Sequence, residues 1–398
     1  MIKTISIENY KSILKLNLDL GRMNVFIGAN GSGKSNILEA IAMVSAQEEI
    51  GKISIESLIG KGVRVVKPAL TVSSFLGKIS PKNIKIGLGV FKERDILLEI
   101  AYNLSCFEQE NIFSEWCDNE IVKNLNRSKT YGDFKLLELV LKSHPADKNK
   151  EQVQKLEQEY QEFVIWKEQR AYFQKWLSGY LIFNPDISAL RGLSNESKKI
   201  PLGINGEGLD VLVASFSSEQ KKELLSDCSI DWLDDVLIDN KEEYKKLGYK
   251  LGRSISNLFF VDKYMQRKNN LFSAENANEG ALFILFYLAL FISDKTPSFF
   301  AIDNIESGLN PRLCRYLMKT LAELSKKNNK QALITTHNPA VLDGLNLHDD
   351  EQRLFVVSRN DEGQTKVERI KLKPEGQENT KLSDLWMSGQ LGGIPEMF

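Results

Sequence analysis

Apolar and polar residues alternate along 2–8 and again along 13–20, where Leu-Lys-Leu-Asn-Leu-Asp-Leu occupies 14–20. Met23–Ile27 then reads as an apolar run. This order predicts a small antiparallel sheet feeding a buried strand. From Ser35 to Val44 the apolar residues Ile37, Leu38, Ile41 and Ala42 recur at helical spacing. Asn83–Val90 and Asp95–Leu104 predict two more strands joined by a charged turn. Leu136–Tyr180 reads as helix, with a stripe of Val153, Leu156, Tyr160, Phe163 and Trp166 broken near His144-Pro145. Such a stripe suits a helical hairpin packed on its own domain or a short lever projecting toward a partner.

Residues 190–208 read as loop, with Gly203, Gly206 and Gly208 as turn glycines. From about 270 onward helices at 279–293, 311–327 and 339–345 alternate with strands at 298–303, 331–335, 352–358 and 366–372. That alternation predicts a mostly parallel sheet flanked by helices. Residues 374–398 suggest no element. Three spans are expected: 1–105 with the first strands, 106–269 as a mostly helical insertion and linker, and 270–398 as the second half of the main domain.

The chain has 398 residues, long enough for two lobes or one domain with a large insertion. Its 52 basic and 53 acidic residues leave a net charge of −1, so no global field draws it to DNA or anionic lipid. A nucleic-acid surface has to be local. Candidate patches are Lys198-Lys199, Lys245-Lys246 with Lys250 and Arg253, and Lys326-Lys327 with Lys330, although such turns are often only solvated. Cys106, Cys117, Cys228 and Cys314 form no CxxC pair and His144, His337 and His348 are isolated, which argues against a zinc site and for reduced thiols in a cytoplasmic protein. The N-terminus lacks the core of a signal peptide. The apolar run Ala281–Ile292 is short of the ~20 residues a membrane span needs, so a buried helix and no membrane segment are expected.

Residues 28–35, Gly-Ala-Asn-Gly-Ser-Gly-Lys-Ser, lie between the predicted strand and helix as a phosphate-binding loop requires. Gly28, Gly31 and Gly33 let backbone amides approach phosphates, with Ala29, Asn30, Ser32 and Asn36 completing the loop. Lys34 is expected on the β- and γ-phosphates and Ser35 on Mg²⁺. A second strand, Ser298–Asp303, ends in the carboxylate that the metal side needs. ATP and Mg²⁺ are the expected ligands.

The stretch Asp303-Asn304-Ile305-Glu306-Ser307-Gly308-Leu309-Asn310-Pro311-Arg312, with Ile334-Thr335-Thr336-His337-Asn338-Pro339, resembles the ABC-type heads of the SMC, RecF and OLD group of ATPases. The resemblance covers residues 1–45 and 270–345. It implies an α/β P-loop NTPase fold: an ABC-type ATPase head with an antiparallel β-lobe, a mostly parallel RecA-like sheet and a helical insertion. By the same resemblance, His337 is the switch histidine at the γ-phosphate and Ser307–Asn310 the loop crossing a dimer interface. Asn278, Glu279 and Gly280 match the signature loop that grips the opposite subunit's nucleotide, with Asn where serine is usual. Lys11 and Ser12 match a short N-terminal motif beside the nucleotide. Gln47 is available for a glutamine loop that has no clear match.

Asn304 stands where these heads carry the glutamate that polarises water. An amide cannot accept a proton, so slow turnover is expected, with Glu306 the nearest substitute carboxylate. An OLD-type nuclease domain would need far more chain after the head. The resemblance therefore implies an ATPase that forms a homodimer or higher oligomer through an ATP sandwich and senses for or restrains a separately encoded effector in bacterial anti-phage defence. The competing reading is a RecF-like clamp in DNA repair with DNA as its partner. A transporter subunit fits less well.

Overall fold

The computed structural model describes residues 1–50, 53–64, 70–92, 96–106, 116–118, 158, 170–193, 201–249, 253–372, 376 and 379–393. Up to residue 118 the elements are β1 (Ile2–Tyr10), β2 (Ile13–Asp19), β3 (Met23–Ile27), α1 (Lys34–Ile50), α2 (Ile55–Gly60), β4 (Asn83–Lys92), β5 (Ile96–Cys106) and β6 (Trp116–Asp118). Next come β7 (Ile182–Phe183), α3 (Ile187–Leu190), α4 (Leu209–Ala214), α5 (Ser218–Asp227), β8 (Leu233–Ile238), α6 (Glu243–Lys246), β9 (Leu258–Asp262) and β10 (Leu271–Ser273). The remainder is α7 (Glu279–Ile292), β11 (Phe299–Ile302), α8 (Pro311–Lys327), β12 (Gln331–Thr335), α9 (Pro339–Leu342), β13 (Gln352–Arg359), β14 (Thr365–Ile370) and α10 (Leu382–Met387).

Two compact units result. The first comprises Met1–Asp19, Met43–Ile59 and Arg64–Ser178. Its sheet is antiparallel in the order β2-β1-β4-β5-β6, and the alternation read along 2–8 buries Ile5 and Ile7 on one face. Lys11 and Ser12 form the tight β1–β2 turn, where Lys11 takes a left-handed φ of 47° and its N–H donates to Thr71 O at 2.8 Å. In the same unit Arg170 pairs with the buried Glu48 carboxylate at 2.7 Å. The stripe from Val153 to Trp166 lies outside the described residues.

The second unit comprises Leu20–Ala42, Gly60–Val63 and Gly179–Phe398. Its central sheet runs β14-β13-β3-β12-β11-β7, parallel except for β14. A parallel order puts the carboxyl ends of β3, β11 and β12 on one edge, which is where open α/β sheets bind ligands. Helix α7 buries every residue but Glu279, so the apolar run is a core helix. Among the described residues no helix is long and apolar enough to cross a membrane. Phe183, Phe286, Phe291 and Phe300 interlock edge-to-face between α7 and the strands.

Within 106–269, expected to be a mostly helical insertion and linker, the described residues include β6, β7, β8 and β9, and β10 just beyond it completes a three-stranded antiparallel sheet in the order β10-β9-β8. Its strands span three to six residues, too short for periodicity to separate strand from helix. The helix read at 339–345 stops at Leu342, where the bonding passes into tight turns, Gly344 N–H donating to Val341 O at 3.2 Å and Leu345 N–H to Leu342 O at 3.0 Å.

Asn24 is a polar residue inside the run read as apolar, and it is fully buried. Its amide donates to Gly21 O at 2.9 Å and Ala332 O at 3.2 Å, and its oxygen accepts the Gly21 N–H at 2.8 Å. Those bonds fix the entry to the strand that carries the phosphate loop. Removing one partner of buried hydrogen bonds leaves the others unsatisfied. Asn24→Ala is predicted to lower unfolding free energy by about 2 kcal/mol in a urea titration.

Candidate functional site

At the end of β3 the chain turns sharply. Gly28 has φ 145°, and a Cβ there would lie 2.0 Å from Val357 O, so only glycine fits. Gly31 and Gly33 also take positive φ, 74° and 110°. The turn is closed by Ser32 N–H to Ala29 O at 3.2 Å and Asn36 N–H to Gly33 O at 3.1 Å. Lys34 is 5% exposed and folds back across the loop, its Nζ donating to Gly28 O at 2.8 Å and Ala29 O at 3.0 Å. Burial lowers its pKa to about 8, against the opposing fields of Asp303 and Glu306. Those two carboxylates therefore face the ammonium.

Asp303 follows β11, which is separated from β3 by β12 in the sheet. Ser35 Oγ donates toward its carboxylate at 3.2 and 3.3 Å. Thr335, at the end of β12, donates its hydroxyl to Asp303 Oδ1 and accepts the Asn304 N–H at 3.0 Å. Asn304 has a left-handed φ of 58°, a conformation that asparagine tolerates better than most side chains. Glu306 turns back so that Oε1 accepts the His337 N–H at 2.8 Å. Among the described residues its buried Oε2 has no hydrogen-bond partner. His337 is held below its ordinary pKa by partial burial and by Lys34, with Glu306 and Asp303 opposing, so it is mainly neutral near pH 7.

These residues fit Mg·ATP. Mg²⁺ is held by one or two protein oxygens with phosphates and water completing six ligands, and Ser35 with Asp303 supplies that minimal set. Among the described residues no cluster of three or more His, Cys, Asp or Glu competes for a metal. Among the described residues Ser32 Oγ in the same loop is buried without a partner, a further donor for an anion.

Asn278 caps α7, its Oδ1 accepting the Ala281 N–H at 3.4 Å. Glu279 is exposed and pairs with Arg191 at 3.6 Å. A Cβ on Gly280 would stand 3.7 Å from Gly308 O, and one on Gly308 (φ 68°) would strike the Phe283 ring at 2.3 Å. Residues 278–280 and the loop Ser307–Asn310 thus share one surface, where Gly308 has no room for a side chain while Gly280 stands at ordinary contact distance from it. Lys11 and Ser12 belong to the β1–β2 turn of the first unit, and Gln47 is buried on α1.

Several participants were not visible in the sequence. Thr335 is one, although it stands two residues before His337. Thr365 of β14 braces the phosphate loop by donating to Ser32 O at 2.9 Å. The segment after α10 returns to the loop, where a Cβ on Gly393 would lie 3.5 Å from Gly28 Cα.

Comparison with known proteins agrees with this geometry. The family model AAA_21, described as "AAA domain, putative AbiEii toxin, Type IV TA system", matches residues 23–343. The SMC head bound to the C-winged helix domain of ScpA superposes with a TM-score of 0.53 at 14% identity, over 94% of this chain and 98% of that one. The SMC head domain from Thermotoga maritima gives 0.49 at 11% identity, over 93% and 98%. The superposition on the ScpA-bound head shows the fold of an SMC head, a P-loop ATPase fold with an antiparallel sheet and a mostly parallel one. Uncharacterized protein MJECL10 of Methanocaldococcus jannaschii is 43% identical over 67 residues, 16% of this chain and 31% of that protein. The match spans about a third of that curated relative's length.

Thr335 serves two partners with one hydroxyl, and both lose it in a valine variant. Thr335→Val is predicted to cost about 2 kcal/mol in chemical denaturation, whereas Thr335→Ser stays within about 1 kcal/mol of the parent. A loss in Thr335→Ser as large as that in Thr335→Val would show that the hydroxyl bonds do not carry the effect.

Proposed function

Given that the chain belongs to the AAA_21 family of AAA domains, we propose that it binds Mg·ATP at residues 28–36, hydrolyses it slowly, and uses the bound state to join a second copy. In this reading the assembled form senses for, or restrains, a separately encoded effector such as a nuclease in bacterial anti-phage defence. The toxin–antitoxin description of the family and the partner-bound state of the SMC head support that reading.

The observation that carries it is the pairing of a complete binding loop with a neutral Asn304. Bound Mg²⁺ would neutralise phosphate charge between Ser35 and Asp303. Lys34 would exchange its carbonyl partners for phosphate oxygens, and neutral His337 would offer a ring nitrogen to the terminal phosphate. Asn278–Gly280 of a second copy, at the N-terminus of its α7, would close the site. Proton acceptance falls to Glu306, whose Oε1 is occupied by the His337 N–H in this state. Leaving that bond has a cost, which makes turnover slow while leaving binding intact.

Steady-state phosphate release separates these roles. Asn304→Glu is predicted to raise the rate about tenfold or more, since a positioned base contributes about 10²–10⁴ and the left-handed backbone offsets part of that gain. Glu306→Gln is predicted to lower the residual rate of the parent by a similar factor. An unchanged or lower rate in Asn304→Glu counts against this role for Asn304.

A further inference from the structure

The lysine-rich places along the chain are treated differently by the fold. At the end of α8, Lys326 pairs with Asp349 at 2.6 Å and Lys327 with Glu223 at 2.7 Å. Lys330 is buried, its amine donating to Thr296 and to Pro297 O. That patch is neutralised. Arg253 stands 3.9 Å from Glu275, while Lys198, Lys199 and Lys250 lie outside the described residues.

The tip joining β9 to β10 has the opposite character. Residues 263–268 are Lys-Tyr-Met-Gln-Arg-Lys, three cations with no carboxylate among them. All six are exposed, Tyr264 at 73% and Met265 at 50%. Among the described residues Lys263, Arg267 and Lys268 enter no ion pair. The nearest carboxylate in sequence, Asp262, is turned to the Tyr264 N–H at 2.8 Å.

This tip is held rather than loose. Asn269 N–H donates to Gln266 O at 2.7 Å and Asp262 N–H to Asn270 O at 2.8 Å. Tyr249 donates its hydroxyl to Lys268 O at 3.1 Å, which ties the tip to the α6 end where Lys246 is exposed. Lys263 Nζ lies 5.1 Å from the Tyr264 ring centroid, so the ring face already accepts a cation.

We propose that the β9–β10 tip binds single-stranded nucleic acid, with Lys263, Arg267 and Lys268 on phosphates and Tyr264 stacked on a base. Unpaired cations flanking an exposed aromatic ring meet both requirements of strand binding, backbone charge and a stacking platform. An anionic membrane would instead select an amphipathic helix with a broad apolar face, which a six-residue tip does not offer. With a net charge of −1 the chain has no long-range field, so the attraction has to be local, as this tip supplies. The proposal does not depend on the nucleotide site.

Fluorescence anisotropy of a labelled oligothymidylate with the full chain tests it. Three phosphate contacts predict a slope of about −2 in log K against log salt, about a 20-fold loss from about 50 to about 200 mM. Lys263→Gln/Arg267→Gln/Lys268→Gln is predicted to weaken binding at least about tenfold, and Tyr264→Ala about tenfold, with unchanged unfolding temperature. Lys326→Gln/Lys327→Gln removes two charges from the paired patch and is predicted to leave binding unchanged. The proposal is overturned if the parent does not bind, if the two lysine variants lose equally, or if phosphatidylserine vesicles bind more tightly than the oligonucleotide.

Discussion

The Asp303 carboxylate ties together the ends of three parallel strands. Ser35 reaches it from the helix that follows β3, and Thr335 reaches it from β12, while Asp303 itself ends β11. Such convergence requires the parallel order, because only then do the three strands finish on one edge. The register Ile302↔Ile334 and Thr335↔Phe26 sets these ends level. Asn24, bonded across to Ala332, anchors β3 from the other end.

Binding and turnover separate at the next residue. The hydroxyl that orients Asp303 also holds the Asn304 N–H, and that contact accompanies the left-handed turn at Asn304. The turn carries the chain into the Ser307 hydrogen bonds to Asn304 O and places Glu306 against the His337 N–H. A neutral amide thus occupies the position beside Asp303, and the next carboxylate, Glu306, has one oxygen buried and the other engaged by the His337 N–H. In the proposed reading, phosphate binding with weak proton abstraction follows from this one local geometry.

The sequence revealed most where covalent sterics leave no alternative. Gly28 had to be glycine because Val357 O fills the space of a Cβ, and the loop of 28–35 was legible for that reason. Asp303 was legible because it ends an apolar strand. Thr335 was not, since its partner is 32 positions away and becomes visible only when β11 and β12 pair. The same distance hid the fate of Lys326, whose carboxylate comes from Asp349, and made a neutralised patch look basic. Short strands such as β9 and β10 escaped because three to five residues carry too little periodicity. Gly393 beside Gly28 joins the two ends of a unit across hundreds of positions, which no local pattern reports.

The central claim is that ATP binding, more than its hydrolysis, sets the state of this protein. Sedimentation velocity of the full chain with Mg·ATP, Mg·ADP and no nucleotide tests that claim most directly. The account predicts a dimer or larger assembly with Mg·ATP that persists over the run, and a smaller species in the other two conditions. One unchanged sedimentation coefficient in all three, with ATP binding demonstrated in the same sample, would contradict it.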